Sequence, residues 1–350
     1  MRNNRLLALK LAGILLSVLA VARCGGGGYG SAASVGSDDA GAIEDGTAPA
    51  TCAGTYLSGR CLVTLASGQD QPWSIAVDSA NVYWVNYGGG GASGSVMMMP
   101  TGGGTPTTLA VPGQVNPAAI ALSATNVYWV DESGGTVMSA SIDGGSPSKT
   151  LASGQGNPNS IAVDAANIYW TNLNGGVVSV ALGGGPSSAF ATGGSTQGIA
   201  VDSLNVYWGF SGPGIGVFKA PKDGGAPTAL VSSDESVSVY TMAVDSQNLY
   251  WTTGGSTVDY VPIDGGNALA LAVAQKQTSG LAVDGTSVYW ATLGTDPNYA
   301  DGTVMVLALD GGTATMLAAS QNAPRAVAVD STSVYWVNQF AGTVMKLTPK

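Results

Sequence analysis

Acid–base chemistry at neutral pH most often uses histidine, and this chain of 350 residues has none. A general base would have to be a carboxylate, a tyrosine or a lysine, and a catalytic metal would have to be held by oxygen. The side chains best suited to recognition share one recurring position, two residues ahead of an apolar run that ends in Asp, or in Ser123 in the second copy. In seven successive copies that position is Trp73, Ala118, Asn159, Gln197, Tyr240, Ser279 and Arg325. Aromatics, amides and a guanidinium gathered at one mouth suit a small polar ligand or the tip of a peptide. Trp, Tyr and Arg are also the types that most often dominate interface binding energy. Acids do not cluster there, whereas a calcium site wants several carboxylate oxygens. The candidate ligand-binding residues are therefore Trp73, Asn159, Gln197, Tyr240 and Arg325. No catalytic residue, metal ligand or cofactor is assigned.

Bringing these positions together requires a repeated element, and the sequence carries one. Its clearest copy runs Ile161-Ala162-Val163-Asp164, then a short step, then Asn167-Ile168-Tyr169-Trp170. The Tyr-Trp pairs begin at Tyr83, Tyr128, Tyr169, Tyr207, Tyr250, Tyr289 and Tyr335, spaced by 45, 41, 38, 43, 39 and 46 residues. Short strands repeating at about 40–45 residues mark the blades of a β-propeller. The predicted fold is all-β: seven blades, each a four-stranded antiparallel sheet.

Strand A is the run to Asp. Its second position is Ala in all seven copies (Ala76 to Ala328), as expected where blades converge on the axis and room is least. Strand B carries Tyr-Trp, whose side chains must point to opposite faces and so to the two neighbouring blades. The A-to-B step begins with Asp and ends with Asn in most copies, for example Asp78 and Asn81, which suits a tight turn closed by short polar side chains. Strand C is a Gly-Thr-Val-Met run such as Gly135–Met138, and Asp-Gly-Gly at Asp143, Asp223, Asp264 and Asp310 predicts a hairpin turn to strand D. The seventh copy has no strand D after Met345, while an extra Thr-Leu-Ala run, Val63–Ala66, precedes the first copy. We therefore expect this N-terminal strand to complete the last blade and close the ring, removing two free sheet edges.

These residues resemble the YWTD repeats of the low-density-lipoprotein-receptor type, and more closely the Tyr-Trp propellers of secreted bacterial lipoproteins. The resemblance covers about residues 62–350. No copy reads Tyr-Trp-Thr-Asp; the nearest are Tyr128-Trp129-Val130-Asp131 and Tyr169-Trp170-Thr171-Asn172. YWTD propellers have six blades against the seven counted here. The resemblance implies a binding role and transfers no catalytic residue.

Ahead of the repeats, residues 1–23 combine a basic start with an apolar run, Leu11–Ala22, and read as a secretory signal peptide. Cys24 follows at once, in the manner of a lipidated bacterial cysteine, although Arg23 stands where a small residue is usual; the alternatives are a signal cut by the general signal peptidase, giving a secreted protein, or a poorly cleaved anchor. Residues 24–60 are rich in Gly, Ala, Ser and acid and read as a flexible tether, with the propeller at 61–350. Cys52 and Cys61 are nine residues apart; in an exported chain a disulfide is the natural reading, with free thiols or a poor zinc site as alternatives.

The chain carries a net charge of −10, and without its first 23 residues it has eight basic against 22 acidic residues, a net charge of −14. Such a surface repels phosphate backbones and anionic lipid, so nucleic acid is not a predicted partner and membrane contact is expected only through a lipid anchor. The sequence thus points to a monomeric, non-catalytic propeller at the cell envelope, binding a protein or a small polar ligand. The alternatives are a glycan-binding propeller, which would want aromatic platforms blade by blade, and an oxygen-ligated metal-dependent hydrolase or lactonase.

Overall fold

A computed structural model describes residues 52–89, 94–211, 216–232 and 239–350. The proposed signal peptide and Cys24 lie outside these residues. All regular elements among them are strands, arranged as seven antiparallel sheets. Blade one is representative. Pro72–Val77, Asn81–Asn86, Gly94–Pro100 and Thr107–Gln114 pair in chain order from the innermost strand outward. Each innermost strand touches the innermost strand of the next blade, and Pro324–Val329 of blade seven returns to Pro72–Val77 of blade one, closing the circle. The fold is a seven-bladed β-propeller.

The core is not one mass but seven layers, each between two blades. Every layer takes its Tyr from one blade and its Trp from the next: Tyr83 with Trp129, Tyr128 with Trp170, and so on round to Tyr335 with Trp84. This follows from alternation along strand B, which sends adjacent side chains to opposite faces. All seven of these Trp are essentially buried, so truncating one would cost about 3–5 kcal/mol.

Burial of an indole raises the question of its N–H. In five blades it donates to a glutamine fifteen residues earlier: Trp84 to Gln69 (2.9 Å), Trp129 to Gln114 (2.6 Å), Trp170 to Gln155 (2.9 Å), Trp290 to Gln275 (3.0 Å) and Trp336 to Gln321 (2.9 Å). Among the described residues Trp208 and Trp251 have no such partner, and the position fifteen before Trp208 is Gly193.

The A-to-B turns are closed by their Asp. Asp78 Oδ1 accepts from the N–H groups of Ala80 and Asn81, and its Oδ2 accepts from the Tyr83 hydroxyl at 2.9 Å. The same pattern recurs at Asp164, Asp202, Asp245, Asp284 and Asp330. Desolvation and the adjacent carboxylate push these tyrosines upward, Tyr250 to about 12.

Residues Arg60–Ala66 pair antiparallel with Thr343–Thr348, with Val63 opposite Lys346 and Thr64 opposite Met345, and so stand as the fourth strand of blade seven. A fifth strand not read in the sequence, Thr55–Leu57, lies outside it. Cys52 and Cys61 are disulfide-bonded with Cα atoms 5.6 Å apart.

Candidate binding site at the channel mouth

The sequence placed the recognition residues just ahead of strand A; the structure places most of them inside it. Trp73, Asn159 and Arg325 are each the second residue of their innermost strand. At these positions the ladder slips: Pro72 pairs with Asn86 and Ser74 with Val85, so Trp73 is the extra residue of a β-bulge. Ala118, Asn159 and Arg325 are bulge residues in the same way. A bulge re-aims its extra side chain, here toward the axis. Two residues earlier the backbone is left-handed, at Gln71, Asn116, Asn157, Gln277 and Ala323, with φ between 53° and 58°. The carbonyl of that residue accepts an N–H from the B-to-C loop, as in Tyr87 to Gln71 and Gln339 to Ala323, both at 3.0 Å. Pinned bulges therefore hold Trp73, Ala118, Asn159 and Arg325, whereas Gln197 pairs directly with Gly209 beside a bulge at Gly198 and Tyr240 stands just ahead of its strand.

These side chains line one cavity of about 470 Å³ at the channel mouth, within the ~300–1,000 Å³ typical of small-ligand sites. Trp73, Asn159, Gln197, Tyr240 and Arg325 all face it, each half-buried. Ser279 does not: it is fully buried, and its hydroxyl donates to the carbonyls of Ala291 (3.2 Å) and Pro324 (2.8 Å). Innermost-strand residues such as Ser74, Ser160 and Thr241 join the lining, as do Tyr87 and Glu132 from B-to-C loops.

A polar and aromatic assembly spans blades seven, one, two and five. The Arg325 guanidinium lies 3.2 Å from the centroid of the Trp73 ring. Tyr87 stacks on the same indole with centroids 4.4 Å apart. Both groups cannot share one face at those distances without overlapping, so they cover opposite faces. The Tyr87 hydroxyl donates to Glu132 Oε2 at 3.3 Å, while Arg325 Nη2 donates to the Tyr240 hydroxyl and Nη1 to Gln339 Oε1 at 3.3 Å. Desolvation pulls the Arg325 pKa downward, against the opposing influence of Tyr240, Tyr87 and Glu132. Burial and the Glu132 carboxylate push the Tyr87 hydroxyl up.

Other polar and aromatic residues near the B-to-C loops are committed to the fold. Phe210 packs edge-on against Trp208 and Phe218. Asp131 is buried at the end of its strand. Asp301 accepts from Lys276 Nζ (2.7 Å) and from the Thr295 N–H and hydroxyl, so it braces its own loop. Asp234 and Glu235 lie outside the described residues. Among the described residues no cluster of three or more His, Cys, Asp or Glu is placed to hold a metal.

No family model matches the chain, and no curated protein matches its sequence. Solved structures share its architecture. Virginiamycin B lyase from Staphylococcus aureus superposes with a TM-score of 0.68 at 13% identity, covering 83% of this chain and 98% of the lyase. A catalytically inactive variant of that lyase, with a histidine replaced by alanine and quinupristin present, gives 0.66 at 13% identity over 83% of this chain and 99% of the variant. The nidogen–laminin complex gives 0.54 at 18% identity, covering 68% of this chain and 95% of the matched chain. At these identities the likeness establishes the fold alone.

Proposed function

We propose that this protein is a non-catalytic binding propeller of the YWTD-like kind, exported and held at the cell envelope through Cys24, with its ligand site at the channel mouth. The observation that carries this is the cavity itself. Five side chains from five blades, three of them turned inward by bulges, meet around about 470 Å³. A rigid ring with divergent side chains on a uniform frame is how propellers present binding surfaces. The nidogen–laminin neighbour shows a propeller of related shape in a protein complex. The lyase neighbours leave an enzyme as the other class. Their variant is inactive once a histidine is removed, and this chain has no histidine to play that part.

The covered indole weakens the glycan-binding alternative. Sugar stacking needs an open aromatic face, and both faces of Trp73 are occupied by Arg325 and Tyr87.

The test is capture of envelope components by wild type and by Asn159→Ala/Gln197→Ala. Neither of these side chains has a hydrogen bond to a described residue, so the double variant should fold normally. Loss of the captured component, with Asp143→Ala on the opposite face unaffected, is the expected result. Retention by the mouth variant together with loss in the turn variant would place the site on the wrong face.

A further inference from the structure

Arg325 is the only basic side chain lining the mouth cavity, and its state is unusual for a half-buried cation. A guanidinium taken out of water ordinarily sits against a carboxylate, because an uncompensated buried charge is costly. Among the described residues no carboxylate is within ion-pair distance of it; the three ion pairs found are Lys222–Asp164, Lys276–Asp301 and Lys350–Asp284. Its hydrogen bonds go to two neutral groups, the Tyr240 hydroxyl and Gln339 Oε1. Among the described residues the buried Nε has no partner, and each Nη keeps a second hydrogen. Glu132 lines the same cavity but is held by the Tyr87 hydroxyl, on the far side of the indole from the guanidinium.

The guanidinium is also fixed in place. Trp73 covers one face at 3.2 Å and the Tyr240 ring lies 5.7 Å away, so little side-chain entropy remains to be lost on binding. A planar, pre-oriented fork of N–H donors matches a carboxylate. A phosphate group fits less well: the cavity offers one cation and already holds the acid Glu132, and the chain carries a net charge of −10. Asn159, Gln197 and the hydroxyls of Ser74, Ser160 and Thr241 around the remaining wall supply neutral donors and acceptors for a polar body.

We propose that the mouth cavity is a carboxylate-binding site in which Arg325, clamped between Trp73, Tyr240 and Gln339, receives the acid group of the ligand. This rests on the binding role proposed above and names the chemistry of the ligand. The acid is carried either by a free small molecule or by an Asp or Glu side chain of a bound peptide.

Isothermal titration of the purified full-length chain tests it. The probes are succinate, free glutamate and a blocked Ala-Glu-Ala peptide, each beside its amide counterpart. At least one acid should bind and its amide should not, and which acid binds separates free molecules from peptides. Arg325→Gln should weaken that binding about 10- to 100-fold, the worth of a charge-assisted pair. Asn159→Ala/Gln197→Ala should weaken it while keeping the preference for acid over amide. Binding should also fade as pH drops through the carboxylate range near ~4, since the guanidinium stays charged throughout. A ligand sensitive to Asn159→Ala/Gln197→Ala but indifferent to Arg325→Gln would overturn the carboxylate assignment and leave the mouth as the site. Failure of every acid to bind at millimolar concentration also overturns it. Circular dichroism melting of Arg325→Gln separates lost binding from lost folding.

Discussion

Replacing Asp131 with Asn should stabilise this protein, and only above a definite pH. Asp131 ends the second strand of blade two, at the position held by Asn86, Asn172 and Asn338 in blades one, three and seven. Each of those asparagines donates Nδ2 to the glutamine that also accepts from the blade's Trp, at 3.1, 3.4 and 3.0 Å. In blade two the glutamine is Gln114, whose Oε1 accepts from Trp129. An ionised Asp131 offers it no donor. The carboxyl is 3% exposed; Oδ2 accepts from the Thr136 hydroxyl at 3.1 Å and Oδ1 has no partner. Desolvation pushes its pKa from 3.8 to about 7, against the pull of the Thr136 hydroxyl and the Val115 backbone N–H.

The folded state therefore holds a proton that the unfolded chain has released. Between about pH 4 and pH 7 folded molecules bind more protons than unfolded ones, so stability falls as pH rises through that window and levels off above it. At about 1.36 kcal/mol per pH unit the full penalty is up to about 4 kcal/mol. Asp131→Asn removes the titration and supplies the missing donor. Guanidinium unfolding of wild type and variant at pH 4 and pH 8 is the assay. The variant should gain up to about 4 kcal/mol at pH 8 and much less at pH 4. The mirror substitution, Asn172→Asp, should import the same penalty into blade three. An equal difference at both pH values, or a less stable variant at pH 8, would refute the reasoning.

Three further outcomes follow from the same contacts. Gln155→Ala orphans the N–H of the buried Trp170 and should cost about 1–3 kcal/mol in unfolding experiments, whereas Gln247→Ala on an exposed turn should cost little. Asp284 is held at about 2 because, against desolvation, Lys350 and the N–H groups of Thr286 and Ser287 favour its charged form. That stabilisation is present above the unfolded pKa and lost as pH falls through about 2, so Lys350→Gln should lower the denaturation midpoint at pH 7 and match wild type near pH 2. Replacing both Cys52 and Cys61 with Ser should lower stability by ~2–3 kcal/mol relative to the oxidised wild type on the chain-entropy model, with reduced wild type unfolding like the variant.

The architecture was readable because each blade repeats the same local chemistry. Asp78 and Asn81 mark a turn, Tyr83 and Trp84 mark a strand buried on both faces, and both signals lie within a few residues of each other. The ring of mouth residues was readable too, since each stands at a fixed offset from strand A. Its mechanism was not. The bulge at Trp73 depends on a left-handed Gln71 and on an N–H arriving from Tyr87, beyond the next strand. A glutamine fifteen residues before five of the Trp, and a Pro directly before Trp73, Ala118, Asn159 and Arg325, were signals present in the sequence. Their meaning emerges only when the loop between them folds back. The clamp of Arg325 on Trp73 could not be read at all: the two are 252 residues apart and meet only because the last blade returns to the first.

That meeting point makes the candidate site a property of ring closure. Arg325 belongs to blade seven and Trp73 to blade one, and the boundary between those blades is the seam where the circle is joined. The seam has its own fasteners: Lys346 Nζ donates to the Thr101 carbonyl at 2.9 Å, and the Gln69 N–H donates to the Gly342 carbonyl at 2.9 Å. Blade seven in turn takes its fourth strand from Arg60–Ala66, so its outer edge is covered only when the N-terminal strand is in place. If the seam opens, the guanidinium loses its aromatic floor while its bonds within blade seven, such as that to Gln339, can persist. A ligand that needs Arg325 pre-oriented on Trp73 therefore binds the closed ring and not the opened one. By mass action it must then stabilise the closed ring by RT ln(1 + [L]/Kd), growing with ligand concentration. The mouth draws on five blades, but its clamp of Arg325 on Trp73 crosses the seam between blades seven and one, and through that contact ligand binding and ring closure are coupled.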